Sequence, residues 1–560
     1  VARPGGQLSP RPPSSRRWRR AAALAGLLAL PVAFLLALFV WPVANIVGEG
    51  LRGPHGWELH GVREVFGDGH LRHVLLFTIW QAAASTALTV VLALPAAHVL
   101  SRYEFRGRRV VQAIVTVPFV LPTVVVGAAF LALLGPRGPL GVDLEGTVWA
   151  ILLAHAFFNH AVVVRVVGGL WELLDPTTAD AARVLGASPA RVARSVTWPA
   201  LRPAVASATL ITFLFTFTSF GVVKIVGGAT HATLEVEIYR QTAELLNLPV
   251  ASVLALVQLA AVGTLLVVQG RLARRWAAPG VALRPAARLR PRGARQRAWV
   301  LGNLAVMALF LGAPLAVLVE RSFSTGGGHG LDAWRALAGQ RPESGLFVPP
   351  LDALTNSLRF AAIATVVAVV LGGLAAAALV RTHGRVGRAL DVGLLLPLGT
   401  SAVTIGFGFL IALDRPIDLR ANVLLVPLAQ ALVALPFVVR TMTPVLRSID
   451  QRLRDAAAVL GASPVRAWRE VDLPLVRRAV LVAAGFAFAI SLGEFGATTV
   501  IARANAPTLP IAIDRLLSRP GALNVGQAFA LSTILMVCTA ASVLVVDHVR
   551  TDRRTTGGLL

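Results

Sequence analysis

The chain has 560 residues and a formal net charge of +25, yet only 14% of its residues are charged and 56% are hydrophobic. Soluble domains carry about 25% charged residues, so this chain has too little polar surface to cover a water-soluble globule. Its arginines sit between apolar runs and not on one soluble face, which argues against nucleic-acid binding and for membrane topology.

In chain order, a basic head (residues 1–20) precedes the first apolar run. Runs of 20 or so residues, each long enough to cross a hydrocarbon core of about 30 Å, fall at 21–43, 74–98, 110–134, 147–170, 203–228 and 250–270. The first run is long and lacks a small-x-small cleavage site, so it reads as a retained span and not a signal peptide. Segment 271–298 is rich in Arg, Pro and Ala and has no acidic residue. It reads as a cytoplasmic linker lying near anionic head groups. A second set follows at 299–319, 357–380, 389–412, 422–443, 480–501 and 527–546, and then a tail (547–560). The expected fold is therefore all-α and polytopic, with about twelve transmembrane helices. Its domains are two membrane-spanning units, 21–270 and 299–546. With the N-terminus inside, the inner loops of the first half hold 22 arginines and the outer loops 5. The positive-inside rule then puts both termini in the cytoplasm. The sole cysteine, Cys538, lies within an apolar run, so neither a disulfide nor a thiolate metal site is expected.

The chain repeats itself. "DAARVLGASPARVARSVTWP" (180–199) returns as "DAAAVLGASPVRAWREVDLP" (455–474), an offset of 275. The same offset pairs Arg165 with Arg440, Phe220–Gly221 with Phe495–Gly496, Thr233–Leu234 with Thr508–Leu509, Ile238 with Ile513 and Arg240 with Arg515. Upstream the register is 279, pairing Pro118 with Pro397 and Gly127 with Gly406. Six spans separate the copies, so both polar segments emerge on the same side. The halves are expected to be parallel repeats about an axis along the membrane normal.

Each polar segment reads as a helix–turn–helix outside the bilayer. A short helix reaches Leu185. Gly186 takes the left-handed position that ends it. Ser188 and Pro189 then supply an N-cap and a first-turn proline. A second helix runs toward Val196, where Pro199 is expected to stop it. Gly461, Ser463, Pro464 and Pro474 repeat the parts. In the second copy Val465, Trp468 and Val471 form a narrow apolar stripe, which suits a groove in a partner. The alternative is a helix resting on lipid.

This pattern resembles the "EAA" loop of membrane subunits of ATP-binding-cassette importers. It reads Asp180-Ala181-Ala182, Gly186, Val196 and Trp198-Pro199, and again Asp455-Ala456-Ala457, Gly461, Val471 and Leu473-Pro474. Both copies use Asp for Glu, and the first uses Trp for Leu. The resemblance covers nearly the whole chain, as two fused domains of the type I importer permease fold. It implies that each loop seats a coupling helix in a separate ATPase, expected as a homodimer, and that an extracytoplasmic binding protein delivers the solute. A P-loop needs G-x-x-x-x-G-K-[ST]. The only lysine, Lys224 in "SFGVVKIVGG", does not fit it, so ATP is expected to be used by the partner and no cofactor by this chain.

"ILLAHAFFNHAVVVR" (151–165), "TSFGVVKIVGGATHATLEVEIYRQT" (218–242) and "SLGEFGATTV" (491–500) with "TLP" (508–510) are similar to fused permeases for thiamine and for iron(III), thiamine being favoured. Glu494 is expected to face protein or a wet cavity, because a carboxylate at bilayer depth is costly. It is either a pathway residue attracting a cation or the structural partner of Lys224. Ser219 holds its place in the other half. His155 and Asn159 share a helix face and are candidates for the pathway or for interhelical hydrogen bonds. No metal site is expected. The alternatives are an ion-gradient-driven secondary transporter, disfavoured because Glu494 is the one clear mid-span acid, and a membrane enzyme, for which no nucleophile elbow or paired carboxylates are seen.

Overall fold

A computed structural model describes residues 14–551, except 54–55, 58–59, 137, 229, 277–287, 326–327, 383, 415–417 and 421. Most of the basic head, the middle of the linker and most of the tail thus lie outside the described residues.

The first half begins with α1 (Ser14–Leu35), which passes through one π turn into α2 (Trp41–Leu51). A small antiparallel hairpin, β1 (Arg52–Gly53) with β2 (Gly56–Trp57), leads to α3 (His60–Gly67) and the long α4 (Gly69–Arg102). Next come α5 (Arg108–Val120), α6 (Thr123–Leu134), α7 (Val148–Leu173), α8 (Thr177–Val184), α9 (Pro189–Val192), α10 (Trp198–Phe217), α11 (Gly221–Val226), α12 (Leu234–Tyr239) and α13 (Leu248–Trp276).

The second half repeats the order with α14 (Gly293–Ser322), the hairpin β3 (Ser324–Thr325) with β4 (Gly328–His329), α15 (Asp332–Arg335), α16 (Pro350–Arg381), α17 (Gly384–Leu395) and α18 (Ala402–Ala412). It ends with α19 (Leu425–Arg447), α20 (Gln451–Val459), α21 (Pro464–Ala467), α22 (Leu473–Gly493), α23 (Gly496–Ile501), α24 (Leu509–Leu517) and α25 (Ala522–Thr551).

Among the described residues, ten helices are long and apolar enough to span a membrane, or eleven if one bent pair counts as a span. Two of the twelve expected spans are broken. The run 110–134 bends by 103° between α5 and α6, because Pro122 forces Leu121 out of helical geometry and into an extended one (ψ 141°). The run 389–412 divides at a 3₁₀ turn holding Pro397, and α18 restarts at the Ser401 cap. At 1.5 Å per residue its 11 residues reach only about 16 Å.

A second correction concerns Pro199. It does not stop the elbow's second helix. The helix from Pro189 runs on to Phe217 through a π turn at Ala193–Thr197, and its counterpart from Pro464 runs to Gly493 through a π turn at Trp468–Asp472. A proline cannot donate to the carbonyl four residues back and its ring crowds that carbonyl. The wider π turn just before Pro199 and Pro474 opens the ladder and absorbs both faults.

The pseudo-symmetry expected from the sequence extends to individual contacts. Leu234 N–H donates to Thr78 Oγ1 at 2.9 Å, and Leu509 N–H to Ser357 Oγ at 2.7 Å. Gly127 packs on Ile225 as Gly406 packs on Val500, and Gly221 on Thr123 as Gly496 on Ala402. These glycines let two short segments approach where a Cβ would collide.

The halves also exchange their first helices. α1 packs on α16, and α2 on α18, both of the second half; α14 packs on α4, α5 and α6 of the first. Each half therefore completes its helix packing with the other.

The ends of the bundle follow from helix directions. α4 and α7 run side by side in the same sense, with His155 Nδ1 3.1 Å from Ser85 and Trp171 against His98. The first elbow (174–197) thus leaves at the end of α4, where α14 begins: Trp299 Nε1 lies 3.4 Å from His98. α14 ends at the opposite face, in the segment 323–349. There Arg341, Glu343 and Ala336 hydrogen-bond Asn524 and Gln527 at the start of α25. α16 departs from that face, and α19 runs along it in the same sense, Gly372 meeting Val438 and Gly373 meeting Met442. The second elbow (448–472) therefore emerges at the same end as the first.

Candidate functional site

The two elbows are built alike from local chemistry. Gly186 and Gly461 have φ of 83° and 82°, the left-handed region that glycine enters without a Cβ penalty. Each closes a Schellman motif. Ala187 N–H donates to the Ala182 carbonyl and Gly186 N–H to that of Arg183, while Ala462 and Gly461 donate to Ala457 and Ala458. Ser188 and Ser463 then cap the next helix by accepting from Arg191 N–H and Arg466 N–H, each at 3.3 Å.

The other expected elbow residues fall into place around this frame. Asp180 pairs with Arg183, and Asp455 accepts from Gln451 at 3.2 Å, so both carboxylates are occupied on the surface. Ala181 and Ala456 are exposed, while Ala182 and Ala457 are half-buried under the second helix. Val196 and Val471 are half-buried, and Pro199 and Pro474 are exposed. The stripe Val465, Trp468 and Val471 stays largely uncovered.

Sequence reasoning missed the boldest feature. Val184, Leu185, Val459 and Leu460 are the four most exposed large apolar side chains among the described residues, each 87% or 88% accessible. They sit just before the two elbow glycines, in register. The signal was present in "RVLGAS" and "AVLGAS", where an apolar pair ends a polar helix. The second elbow has a buried brace that the first lacks. Arg454 Nε donates to the buried Asp472 at 2.8 Å, whereas the first elbow has Ala179 and Thr197 there.

Within the bundle the polar residues form separate small groups. His155 is buried between two hydroxyls, with Nδ1 3.1 Å from Ser85 Oγ and Nε2 2.8 Å from Ser219 Oγ. Asn159 donates to the His155 carbonyl at 3.0 Å. Ser85 on α4 and Ser219, just past α10, thus tie His155 of α7 to its neighbours, whereas the Asn159 bond stays within α7. Glu494 also turns inward on the chain. It accepts from Ala497 N–H at 2.7 Å, Thr498 N–H at 3.0 Å and the Thr498 hydroxyl, capping α23 after the break in α22.

Glu494 is therefore not the partner of Lys224. Lys224 Nζ lies 2.6 Å from Asp514 Oδ2, in the other half. Nor is Glu494 the one interior acid. Glu235 is buried and accepts from Gln258 at 2.5 Å and from Ser401 of the second half. Glu237, also buried, accepts from Gln241 at 2.7 Å. These acids escaped because α12 and α24 are only 6 and 9 residues long and read as loops between spans. The repeat had marked the place of Asp514, which lies between the matched Ile513 and Arg515.

Two parallel sets of membrane helices, each carrying an elbow at the same end, define a duplicated multi-pass membrane protein of the transport class. The chain belongs to the family described as binding-protein-dependent transport system inner membrane component, which it matches twice, over residues 89–278 and 368–555. It is thus an importer permease with two family domains fused in one chain. Among its relatives is the thiamine transport system permease protein ThiP of Brucella abortus, 29% identical over 505 residues, 87% of this chain and 89% of that one. A probable ABC transporter permease of Sinorhizobium fredii is 26% identical and covers 94% of this chain and 96% of its own length. A putative 2-aminoethylphosphonate transport system permease protein of Salmonella typhimurium is 28% identical over 246 residues, 41% of this chain and 86% of that one.

Proposed function

We propose that this chain forms the translocation pathway of an importer for a small organic cation, thiamine first, and that its elbows couple the pathway to separate ATPase subunits. The observation that carries the coupling is the pair of matched elbows at one end of the bundle, each presenting a bare Val–Leu pair. An exposed apolar pair on a rigid turn gains by burial in a partner's groove, at about 25 cal/mol per Å². Two equivalent elbows suit two copies of one ATPase. When those copies close on ATP, both elbows move together, and each pushes a continuous helix, α10 or α22, whose tip reaches the interface between the halves. ATP is bound and hydrolysed by the partner, and this chain takes no cofactor.

The elbow end faces the cytoplasm of a bacterium, a reading that the arginine distribution supports and that puts both termini on the same side. The opposite face, with the hairpins and segment 323–349, receives an extracytoplasmic binding protein. The thiamine reading rests on the similarity to ThiP over most of the chain. The test is reconstitution in proteoliposomes with the ATPase and binding protein of the same transport system. The lone chain should hydrolyse no ATP, and adding the partners should give ATP-dependent thiamine uptake. Uptake of ferric ion or 2-aminoethylphosphonate in place of thiamine would reassign the solute. Hydrolysis by the lone chain would remove the coupling reading.

A further inference from the structure

Lys224 is held against aromatic faces. Its ammonium lies 4.5 Å from the Tyr239 ring centroid, 5.5 Å from Phe495 and 5.9 Å from Phe220, as well as 2.6 Å from Asp514. All three rings fall within the reach of about 6 Å over which a cation is attracted to a π face. The repeat register makes the arrangement more telling. Phe220 and Phe495 are equivalent positions, and so are Tyr239 and Asp514, each pair 275 apart. The cage therefore surrounds the pseudo-twofold axis, with two groups from each half. One half contributes an aromatic face where the other contributes a carboxylate, and Lys224 itself answers to Thr499. The site is not sealed: the side chains of Lys224 and Asp514 keep 17% and 14% of their accessibility.

A carboxylate set among π faces is the chemistry that recognises an organic cation. The ammonium there now stands on a flexible four-carbon stem. We propose that the Tyr239–Phe220–Phe495–Asp514 cage is a binding site for an organic cation of the thiazolium or quaternary ammonium class, and that Lys224 is a tethered stand-in that withdraws as the cation enters. The proposal rests on the cationic-substrate reading above. The exchange conserves charge. One cation leaves Asp514 as another arrives, so the carboxylate is never left bare in a poorly hydrated site, where it would be costly.

The test is equilibrium binding to the full chain in lipid nanodiscs, with thiamine, tetramethylammonium and the uncharged thiamine derivative thiochrome as probes. Lys224→Met removes the internal competitor and should tighten both cations about 10-fold while leaving thiochrome unchanged. Tyr239→Leu should weaken both cations about 10-fold, and Tyr239→Phe, which keeps the ring, should bind them as the natural chain does. That pair decides the matter even where Lys224→Met fails to fold. Weaker cation binding in Lys224→Met, as an anion site would predict for a lost lysine, overturns the proposal. Unchanged binding in Tyr239→Leu also overturns it. If tetramethylammonium follows the expected pattern and thiamine does not, the cage stands and the thiamine reading falls. If cells take up thiamine equally well with Tyr239→Leu and Asp514→Asn, the cage falls and the thiamine reading stands.

Discussion

Phe220 and Phe495, 275 residues apart, stack with their ring centroids 5.2 Å apart and their planes 30° from parallel. Each follows the end of a continuous helix that starts in an elbow, so the rings mark where the two elbow helices meet. Both are buried, and the contact lies on the axis relating the halves.

The ring pair should show measurable coupling. Phe220→Leu and Phe495→Leu each lose an aromatic face, and the double variant loses less than the sum of the two. A double-mutant cycle on unfolding in detergent should return about 0.5–1.5 kcal/mol of interaction. Simple additivity would mean that the stacking contributes nothing.

Valine at Gly186 or Gly461 must adopt positive φ, which is strongly disfavoured for a β-branched residue. The cost is roughly 1–2 kcal/mol or more at the turn. Uptake should fall sharply while membrane insertion, read by protease mapping, survives. Asparagine tolerates the left-handed region better and should keep more activity. Equal uptake by the valine and asparagine variants would contradict the role given to the turn.

Replacing Leu185 and Leu460 by Ser should barely change stability, because both side chains already face solvent. Surface changes of this kind usually stay within about 0.5 kcal/mol. ATPase stimulation and pull-down of the ATPase should both be lost. A drop in melting temperature with normal pull-down would mean that the pairs serve the fold instead.

The Arg454–Asp472 brace should make the elbows unequal. Arg454→Ala leaves a buried carboxylate without its charged partner, at a cost of roughly 1–3 kcal/mol. Hydrogen exchange should then quicken over 450–472 and stay unchanged over 177–197. Equal acceleration in both elbows would argue for global loosening.

His155→Leu strands the hydroxyls of Ser85 and Ser219 in the interior. It should destabilise the chain by roughly 1–3 kcal/mol and leave the apparent KM for uptake unchanged. A raised KM at unchanged stability would return His155 to the pathway.

The elbows were legible in the sequence because their geometry is local. A glycine at positive φ, a serine cap and a first-turn proline act within a few residues, and the repeat shows each twice. What misled the reading of Pro199 was also local: the proline signal is real, but a π turn offers a second way to satisfy it. Two of the twelve expected spans are broken, at Pro122 and Pro397, for a related reason. A hydropathy window averages over about 20 residues and registers apolarity, not the direction of the chain.

The interior polar residues were less legible. Glu494 was singled out because it stood in an apolar run, while Asp514, Glu235 and Glu237 sat in segments too short to look like membrane helices. The sequence by itself determined the membrane class, the parallel duplication and the paired elbows, since burial of long apolar runs and turn geometry depend only on neighbours along the chain. Tertiary structure alone decided that Lys224 meets Asp514 and that the first helices cross to the opposite half. A buried charge takes whichever opposite charge packing brings within reach, and the Lys224–Asp514 contact joins residues 290 positions apart.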